Sequence, residues 1–587
     1  MQTEKIEVDF CVVGGGLAGL CAAIAAARRG AKVALVHDRP VLGGNSSSEI
    51  RMHVCGARGE NTRETGLVEE LMLDNYRYNT RPTYSGWDAV LYGKAQYQPG
   101  LTLVLNASVS SAAAEGGKIR SVRAWQCTTQ RWIEIEAALF ADCSGDAVLA
   151  PLSGALFRQG REARGEYGES IEPVEADSCT MGASCLFQAR EYAEPQPFVP
   201  LPWTNRYESA ADLPDRFMDV FQTNFWWMEV GGTEDTLSGA EKCREELLRI
   251  AYGVWDYLKN RSPDRARYER LALDWVGFLP GKRESRRYVG DHVLTQGDVE
   301  SGGRFPDVVA YGGWPMDDHF PEGFHYRGAV GTTYHPAPSP YGIPYRCLYS
   351  RNVGNLFCAG RDMSATHAAL SSTRVMATCA LEGQAVGVAA AIAVRDGLSP
   401  RAVGAERLAE LQGALLDDDC WLPGVPRRIP EPCAGAELTA GAGEPEPLRS
   451  GIDRPVGGAS NGWTAPVGTP VEYRFEQPAA LSSCRLVFDS DLDRGDPSRK
   501  EGQTRLLNMR YWTGIDDSAF APPATLVRDF RLEVLGDGGA WTLAATVRDN
   551  HQRLVRVPLS ATCRGLRLVV ERTWGTPTPR VFAFDAT

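Results

Sequence analysis

The chain has 587 residues, 43% hydrophobic and 23% charged, which is enough for two to four domains around a large core and unlike a disordered or fibrous chain. Its 62 Lys and Arg against 74 Asp and Glu leave a net charge of -12, which argues against a general nucleic-acid binder, because neutralising phosphates takes a cationic surplus. The apolar runs read as shorter than the ~20 residues of a membrane-spanning helix, the longest lying around residues 385–394. The first residues carry no basic segment followed by an apolar one, so the expected location is the cytoplasm. The 15 cysteines are scattered, as at Cys11, Cys21, Cys55, Cys143, Cys358 and Cys379, with no C-x-x-C. That spacing weighs against a zinc ribbon, an iron–sulfur cluster or a dithiol site, and reads as reduced, buried small hydrophobes.

In chain order, residues 8–13 read as a buried strand, 20–29 as an Ala-rich helix and 32–36 as a second buried strand. Between the first two stands Gly14-Gly15-Gly16-Leu17-Ala18-Gly19, a G-x-G-x-x-G at the strand-to-helix turn of a βαβ unit, which predicts dinucleotide binding. Gly14 permits the turn, Gly16 admits a pyrophosphate to the backbone, and Gly19 lets the helix pack closely. Leu17 and Ala18 open a helix whose free N–H groups and dipole favour phosphate. Where a ribose-binding acid is expected, the chain has His37 followed by Asp38. Either His37 contacts the ribose or the turn shifts so that Asp38 does; Asp38 is preferred, with Arg39 over the adenosine side. Gly43, Gly44, Asn45, Ser46, Ser47 and Ser48 then offer donors without bulk, which suits an extended FAD more than NAD.

Further along, residues 101–109 read as a strand, 119–126 and 132–137 as a hairpin, and 138–146 as a strand ending in a small-residue turn. Residues 355–359 read as a strand ending at Gly360, and Ser371 and Ser372 as the cap of a helix over 373–395. That helix is dense in Ala, Gly and Val, so its backbone can approach a neighbour closely. Its N-terminal dipole would favour negative charge on a reduced flavin.

VVGGGLAGLCAAIAAARRG, LGGNSSSEIRMHVCGARGENTRETGLVEE, and the later NLFCAGRDMSATH running on to GQAVG together resemble the FAD-dependent oxidoreductase family with a glutathione-reductase-like FAD fold. More narrowly, they are similar to a bacterial subgroup associated with sugar degradation; the resemblance covers residues 5–425. It implies FAD as cofactor, backbone contact from Val109 to the adenine edge, Ser144 and Gly145 near the dinucleotide, and Gly360, Arg361, Arg374 and Thr378 on the second flavin segment.

The expected class is α/β. A Rossmann-like FAD-binding domain in two parts (1–160 and 346–430) carries an inserted α+β substrate domain (161–345). A Pro/Gly/Ala-rich linker (431–455) then leads to a C-terminal β-sandwich (456–587). The insertion shows amphipathic helices over 241–259 and 265–273, and Phe225-Trp226-Trp227 reads as core. The sandwich is expected from short strands at 471–475, 484–489, 530–535, 541–547, 555–559 and 566–571. It resembles a discoidin or galactose-binding-like domain, with packing or homo-oligomer formation preferred over glycan capture.

Flavin chemistry needs a group that accepts a proton and a cation that holds an oxyanion. Arg51, His53, His335 and His367 flank the flavin segments, with His335 or His53 preferred as the base; Arg58, Arg361 and Arg374 are candidate clamps. Asp317, Asp318, His319, His325 and His335 match no metal-ligand spacing, and no metal is expected. Residues 46–48 lack a nucleophile elbow, which disfavours a hydrolase. The expected function is an FAD-dependent dehydrogenase that abstracts a hydride from an alcohol or amine carbon of a polar small molecule, foremost a sugar, glycoside or polyol. The electron acceptor stays open among oxygen, a quinone and another carrier. The alternatives are an NAD-dependent oxidoreductase and a noncatalytic glycan-binding protein.

Overall fold

The computed structural model describes residues 2–221, 223–493, 509, 512–515 and 519–587. The chain divides into two compact units: residues 1–58, 81–411 and 495–519 form the first, and 59–80, 412–494 and 520–587 the second.

The first unit is built on a sheet whose parallel part is β1 (Thr3–Val13), β2 (Val33–Val36), β3 (Leu101–Val104) and β6 (Arg131–Asp142), in the order β3-β2-β1-β6. On its far side β6 pairs twice. Its first half bonds antiparallel to β5 (Lys118–Gln126), itself paired with β4 (Ala107–Glu115), and its last residues bond parallel to the strand Leu356–Cys358. The two distant nucleotide-like segments therefore meet on one strand, Val13 and Cys358 both pairing with Asp142. The expected single strand over 101–109 is two strands, because Asn106 turns the chain at φ 56°, a conformation Asn tolerates better than most residues.

Helix α1 (Leu17–Arg28) packs on the helix Met376–Asp396 with glycine contacts. A Cβ on Gly383 would lie 1.9 Å from the Ala18 carbonyl oxygen, and one on Gly387 2.2 Å from that of Ala22. The cap expected at Ser371 and Ser372 is corrected. Both lie inside a preceding helix, His367–Thr373, capped by Thr366; the long helix starts only after Val375, and the Ser372 hydroxyl bonds the Trp314 carbonyl. The expectation that no segment is long and apolar enough to cross a membrane is also corrected. Met376–Asp396 has 21 residues and a mean hydropathy of 1.5 in its most apolar window, and 94% of that window is buried inside the protein.

The inserted region carries the amphipathic helix Ala240–Asp256, whose apolar face joins Phe187, Phe225, Trp227 and Trp255 in an aromatic core. The helix expected over 265–273 is a short 3-10 turn, Arg265–Tyr268, followed by the strand Leu271–Val276. Pairing with the strand Phe187–Glu191 overrides the local helical pattern.

The second unit is an antiparallel β-sandwich. The pairs of strands expected at 471–475 and 484–489, and at 555–559 and 566–571, are each one long strand, Pro470–Phe488 and Leu554–Thr573, paired together along their length. The turn signals between them became bulges: the register shifts between Arg474 and Ala479, where Pro478 cannot donate to the ladder. The linker expectation is corrected. Its residues form the strand Glu437–Ala440, paired with Pro470–Phe488, and bury Cys433 and Leu448. Residues 59–80, expected in the nucleotide domain, belong to this unit as well. Asp74 accepts from the His551 Nε2 at 3.0 Å, and the Arg77 guanidinium meets Asp549 at 2.6 Å.

The 15 cysteines are thiols rather than disulfides, and 13 of them are buried. Among the described residues no group of three or more His, Cys, Asp or Glu has the geometry to hold a metal ion.

Candidate functional site

Within the first unit a cavity of about 830 Å³ runs along the C-terminal ends of β1, β2 and β6, where parallel sheets place ligands. One end is the glycine turn. Gly14 sits at φ 105° and a Cβ there would lie 2.5 Å from the Cys143 backbone. A Cβ on Gly19 would meet the Gly14 carbonyl oxygen at 1.9 Å. Gly19 does not line the cavity; it lets α1 start directly against the turn. Gly14, Gly16, Leu17 and Ala18 line the wall.

The second glycine pair lies across the first. Gly43 N–H donates to the Gly15 carbonyl at 2.8 Å, and Gly16 and Gly43 form a parallel bridge. A Cβ on Gly44 would lie 3.2 Å from the Gly16 Cα. Gly43, Gly44 and Asn45 therefore line the cavity. Ser46 and Ser48, expected on the cofactor, do not, and that expectation is corrected. The Ser46 hydroxyl donates to the Gly43 carbonyl and accepts from the Trp87 indole, and the Ser48 N–H bonds Asp88. Both brace the loop from behind.

His37 settles its own role. Its Nδ1 accepts from the Gly15 N–H at 3.0 Å, so Nε2 carries the proton and donates to the Val41 carbonyl at 3.1 Å. Burial, helped by Arg39, lowers its pKa to about 4, so the ring is neutral near pH 7 and the Asp38 carboxylate beside it is no ion-pair partner. His37 lines the cavity but spends both nitrogens on the loop, whereas the Asp38 side chain is 61% exposed at the same wall. Arg39 lines the wall and reaches Glu49 at 3.4 Å. A His37→Phe variant strands the Gly15 N–H, and about tenfold weaker flavin retention is expected, read by equilibrium dialysis of released FAD. The depressed pKa makes His37's contribution to stability full above pH ~6.5. It is lost as pH falls through about 4.

The opposite wall comes from Val109, Ser144, Gly145, Gly360, Arg361, Arg374, Met376 and Cys379. Ser144 and Gly145 are fixed by two buried carboxyls. Asp142 accepts from the Ser144 N–H and hydroxyl, and Asp362 from the N–H groups of Gly145 and Ala147. Burial and the nearby Asp142 push the Asp362 carboxyl well up. Glu382, raised by burial, accepts from the Gly360 N–H at 2.8 Å. Thr378, expected on the cofactor, is corrected: it is fully buried and does not line the cavity, which its helical turn faces through Met376 and Cys379 instead.

Two arginines complete this wall. Arg361 lies over Gly145, where a Cβ would be 2.6 Å from its Nη2, and reaches Asp146 at 3.4 Å. Burial works against the Asp146 charge, but Lys282 and Arg361 hold its carboxyl below the usual range. Arg374 binds Asp317 at 3.0 Å. The Arg361 Nη1 and Arg374 Nε are buried without a hydrogen-bond partner among the described residues. Orphaned guanidinium donors, a glycine cradle that any Cβ would fill, and a helix N-terminus on one cavity match an elongated, anionic, oxygen-rich ligand such as FAD.

Of the five expected catalytic groups, Arg361 lines the cavity and three others are committed elsewhere. Arg51 is corrected: it does not line the cavity, donates to the Ser48 carbonyl and Gln188, and stacks 4.4 Å from the Trp275 ring. His53 is buried between the Cys55 thiol at 3.2 Å and the Asn224 amide at 3.4 Å. His367 is corrected as a proton acceptor. Its Nδ1 lies 2.8 Å from Glu284 and its Nε2 3.2 Å from Asp318. Burial would lower its pKa, but those two carboxylates raise it well above the usual range, leaving an imidazolium with no free nitrogen. His319, weighed in the sequence only within a rejected metal set, is clamped the same way between Glu229 and Asp317. Apart from His319 with Asp317, these pairings join residues 49 to 90 positions apart and leave no local signal.

His335 differs. On the hairpin of strands Met316–His319 and Thr332–His335, its half-buried ring makes no hydrogen bond among the described residues. It does not line the cofactor cavity itself. Beside it Tyr334 is 48% exposed, and Arg58 lies between Tyr334 and Trp314, 5.7 and 3.9 Å from their rings. Trp314 packs with Cys55 and Val375, and Val375 separates the cavity-lining Arg374 and Met376.

Residues 9–415 match the family model described as FAD dependent oxidoreductase. Glycerol-3-phosphate dehydrogenase of Mycobacterium leprae and glycerol-3-phosphate dehydrogenase 2 of Mycobacterium tuberculosis are each 41% identical over 68 residues. That is 12% of this chain, and the chain spans only 12% of the length of these curated relatives. Among solved structures, the E. coli quinol fumarate reductase FrdA chain aligns over 71% of this chain and 75% of its own, at 15% identity and a TM-score of 0.28. The family 32 carbohydrate-binding module of Streptococcus pneumoniae EndoD aligns over 26% of this chain and 95% of its own, at 18% identity and a TM-score of 0.19. With a flavin family model spanning both cradle segments, the NAD alternative falls away. The chain is an FAD-dependent oxidoreductase, a member of the FAD dependent oxidoreductase family.

Proposed function

We propose that this enzyme oxidises an alcohol or amine carbon of a polar small molecule, with a sugar, glycoside or polyol as the preferred substrate class. FAD, when bound, supplies the two-electron acceptor for the hydride. Gly14, Gly16, Leu17, Ala18, Gly43, Gly44 and Arg361 would hold the diphosphate portion, Asp38 the ribose, and Arg374 with the start of the helix Met376–Asp396 the anionic end of the ring system.

The observation that carries the catalytic part is the freedom of His335. Arg51, His53 and His367 have their polar atoms engaged, while the His335 ring nitrogens are open to take the proton from a substrate hydroxyl or amine. The sugar preference is supported by the Tyr334 face and the Arg58 guanidinium beside it: an aromatic face accepts the C–H side of a pyranose while cations and imidazole take its hydroxyls.

The test is anaerobic mixing of the yellow holoenzyme with a panel of sugars, glycosides, polyols, hydroxy acids and amines, followed at the flavin absorbance. Bleaching by a polyhydroxylated compound, slowed about 100-fold or more in His335→Gln, is expected. No bleaching by any alcohol or amine would refute the proposal.

A further inference from the structure

The surface loop 161–177 of the first unit is closed at its base by backbone bonds in both directions between Arg161 and Asp177, at 3.0 and 3.2 Å. Compact surface loops pinned at their ends are frequently functional. Between those ends the burial pattern is inverted. Within residues 162–172 the only buried residues are Glu162, Glu169 and Glu172, while every neighbour is exposed or half-buried. A loop ordinarily turns apolar side chains inward and leaves its carboxyls in water, because an unpaired buried carboxylate is costly.

Two of the three glutamates have donors. Glu162 accepts from the His367 N–H at 2.9 Å and meets Arg287 at 3.0 Å. Glu169 accepts from the Gln296 N–H and the Thr366 hydroxyl, both at 2.7 Å. Thr366 caps the helix His367–Thr373, so these carboxylates fasten the loop to the start of that helix. Glu172 has no such donor. It is 1% exposed, and neither of its carboxyl oxygens has a hydrogen-bond partner among the described residues. The charges acting on it are His367 on the helix, Asp318 on the strand Met316–His319, and Glu162 and Glu169 on its own loop. Arg164 reaches only its backbone carbonyl, at 3.1 Å. Three carboxyls therefore face Glu172 against one cation, and that cation is already held by Glu284 and Asp318. Burial, opposed by His367 and reinforced by the three carboxyls, pushes the Glu172 carboxyl up to about 7.

We propose that loop 162–176 is a proton-controlled flap: with a proton on Glu172 it stays closed over the start of the helix His367–Thr373, and loss of that proton to water leaves a third buried negative charge beside Glu162 and Glu169 that lifts the loop. The exchange needs no reactant besides water. Opening bares the His367–Asp318 pair, one strand from His335. The raised carboxyl stabilises the closed loop fully below its ordinary value of 4.5, and that stabilisation is lost as pH rises through about 7.

The test compares wild-type holoenzyme with Glu172→Gln and Glu172→Met, both permanently neutral, by amide hydrogen exchange and thermal midpoint from pH ~5.5 to ~8.5. Exchange is read for residues 162–172 and 366–373, each variant against wild type at the same pH, which cancels the intrinsic base catalysis of exchange. The ratio of wild-type to variant rate should rise about tenfold or more across that range, as one proton linked to opening requires. The midpoint of each variant should gain on wild type over the same interval. Glu172→Met needs no hydrogen bond and carries the comparison if Glu172→Gln fails to fold. A rate ratio independent of pH overturns the proposal. So does a pH-dependent midpoint difference without faster exchange in the loop, which would be titration without opening. Both variants less stable than wild type at every pH would mean that Glu172 works as a charged ligand, and would overturn it as well.

Discussion

Gly19→Ala should yield protein without bound flavin. The new Cβ would sit 1.9 Å from the Gly14 carbonyl oxygen and 3.1 Å from the Cys143 Cβ, both part of the β1–α1 turn and the β6 terminus. The Gly14 carbonyl cannot move without opening the cradle, so the substitution costs about 3 kcal/mol. Gly165→Ala is the matched control, because nothing lies within 4 Å of its Cβ position and its φ is not positive. The ratio of flavin to protein absorbance, with the thermal midpoint, decides. A colourless, less stable Gly19→Ala beside a yellow Gly165→Ala is expected, and a fully loaded Gly19→Ala would remove the cradle from the account.

The second large effect is at His367, and it separates structure from catalysis. Its ring nitrogens meet Glu284 at 2.8 Å and Asp318 at 3.2 Å, and Glu284 also meets Arg287, which bonds Glu162 at 3.0 Å. His367→Leu removes one cation from this buried alternation, taking the imidazolium from Asp318 and leaving Glu284 with Arg287 alone, at a cost of about 3–5 kcal/mol. His335→Gln should leave the thermal midpoint within the spread of surface substitutions, ~0.5 kcal/mol, while losing flavin reduction by substrate. The pH dependence follows from the raised His367 pKa. Its stabilisation is complete below the unfolded value near pH ~6.5 and declines as pH rises through the folded value. Thermal midpoints of the wild type should therefore fall on the alkaline side, and the slope should flatten in His367→Leu. A wild-type midpoint that is flat there, or an equal slope in the variant, would show the imidazolium to be absent.

Much of the cofactor cradle was legible in the sequence because its signals are local. A turn at positive φ, a helix N-terminus at a phosphate and a close helix contact each demand glycine at a fixed offset, so Gly14, Gly16, Gly43 and Gly360 announce themselves. The same logic misled at Ser46 and Ser48, since small polar residues in a loop suit a ligand and a brace equally. Only the distances to Gly43, Trp87 and Asp88 separate the two.

What the amino-acid order determined by itself was the βαβ start, the glycine turns, the second flavin segment and the period-2 character of the C-terminal strands. These follow from backbone stereochemistry and burial period within a few residues of chain. Tertiary structure alone decided that the two segments share β6, that residues 59–80 belong to the β-sandwich unit, and that the turn signals near 476–478 became a bulge. It also decided which histidine is free. A histidine's protonation and availability depend on carboxylates 49 and 83 positions away in the chain, as for Asp318 and Glu284 around His367, and electrostatics acts through space, where sequence distance has no meaning.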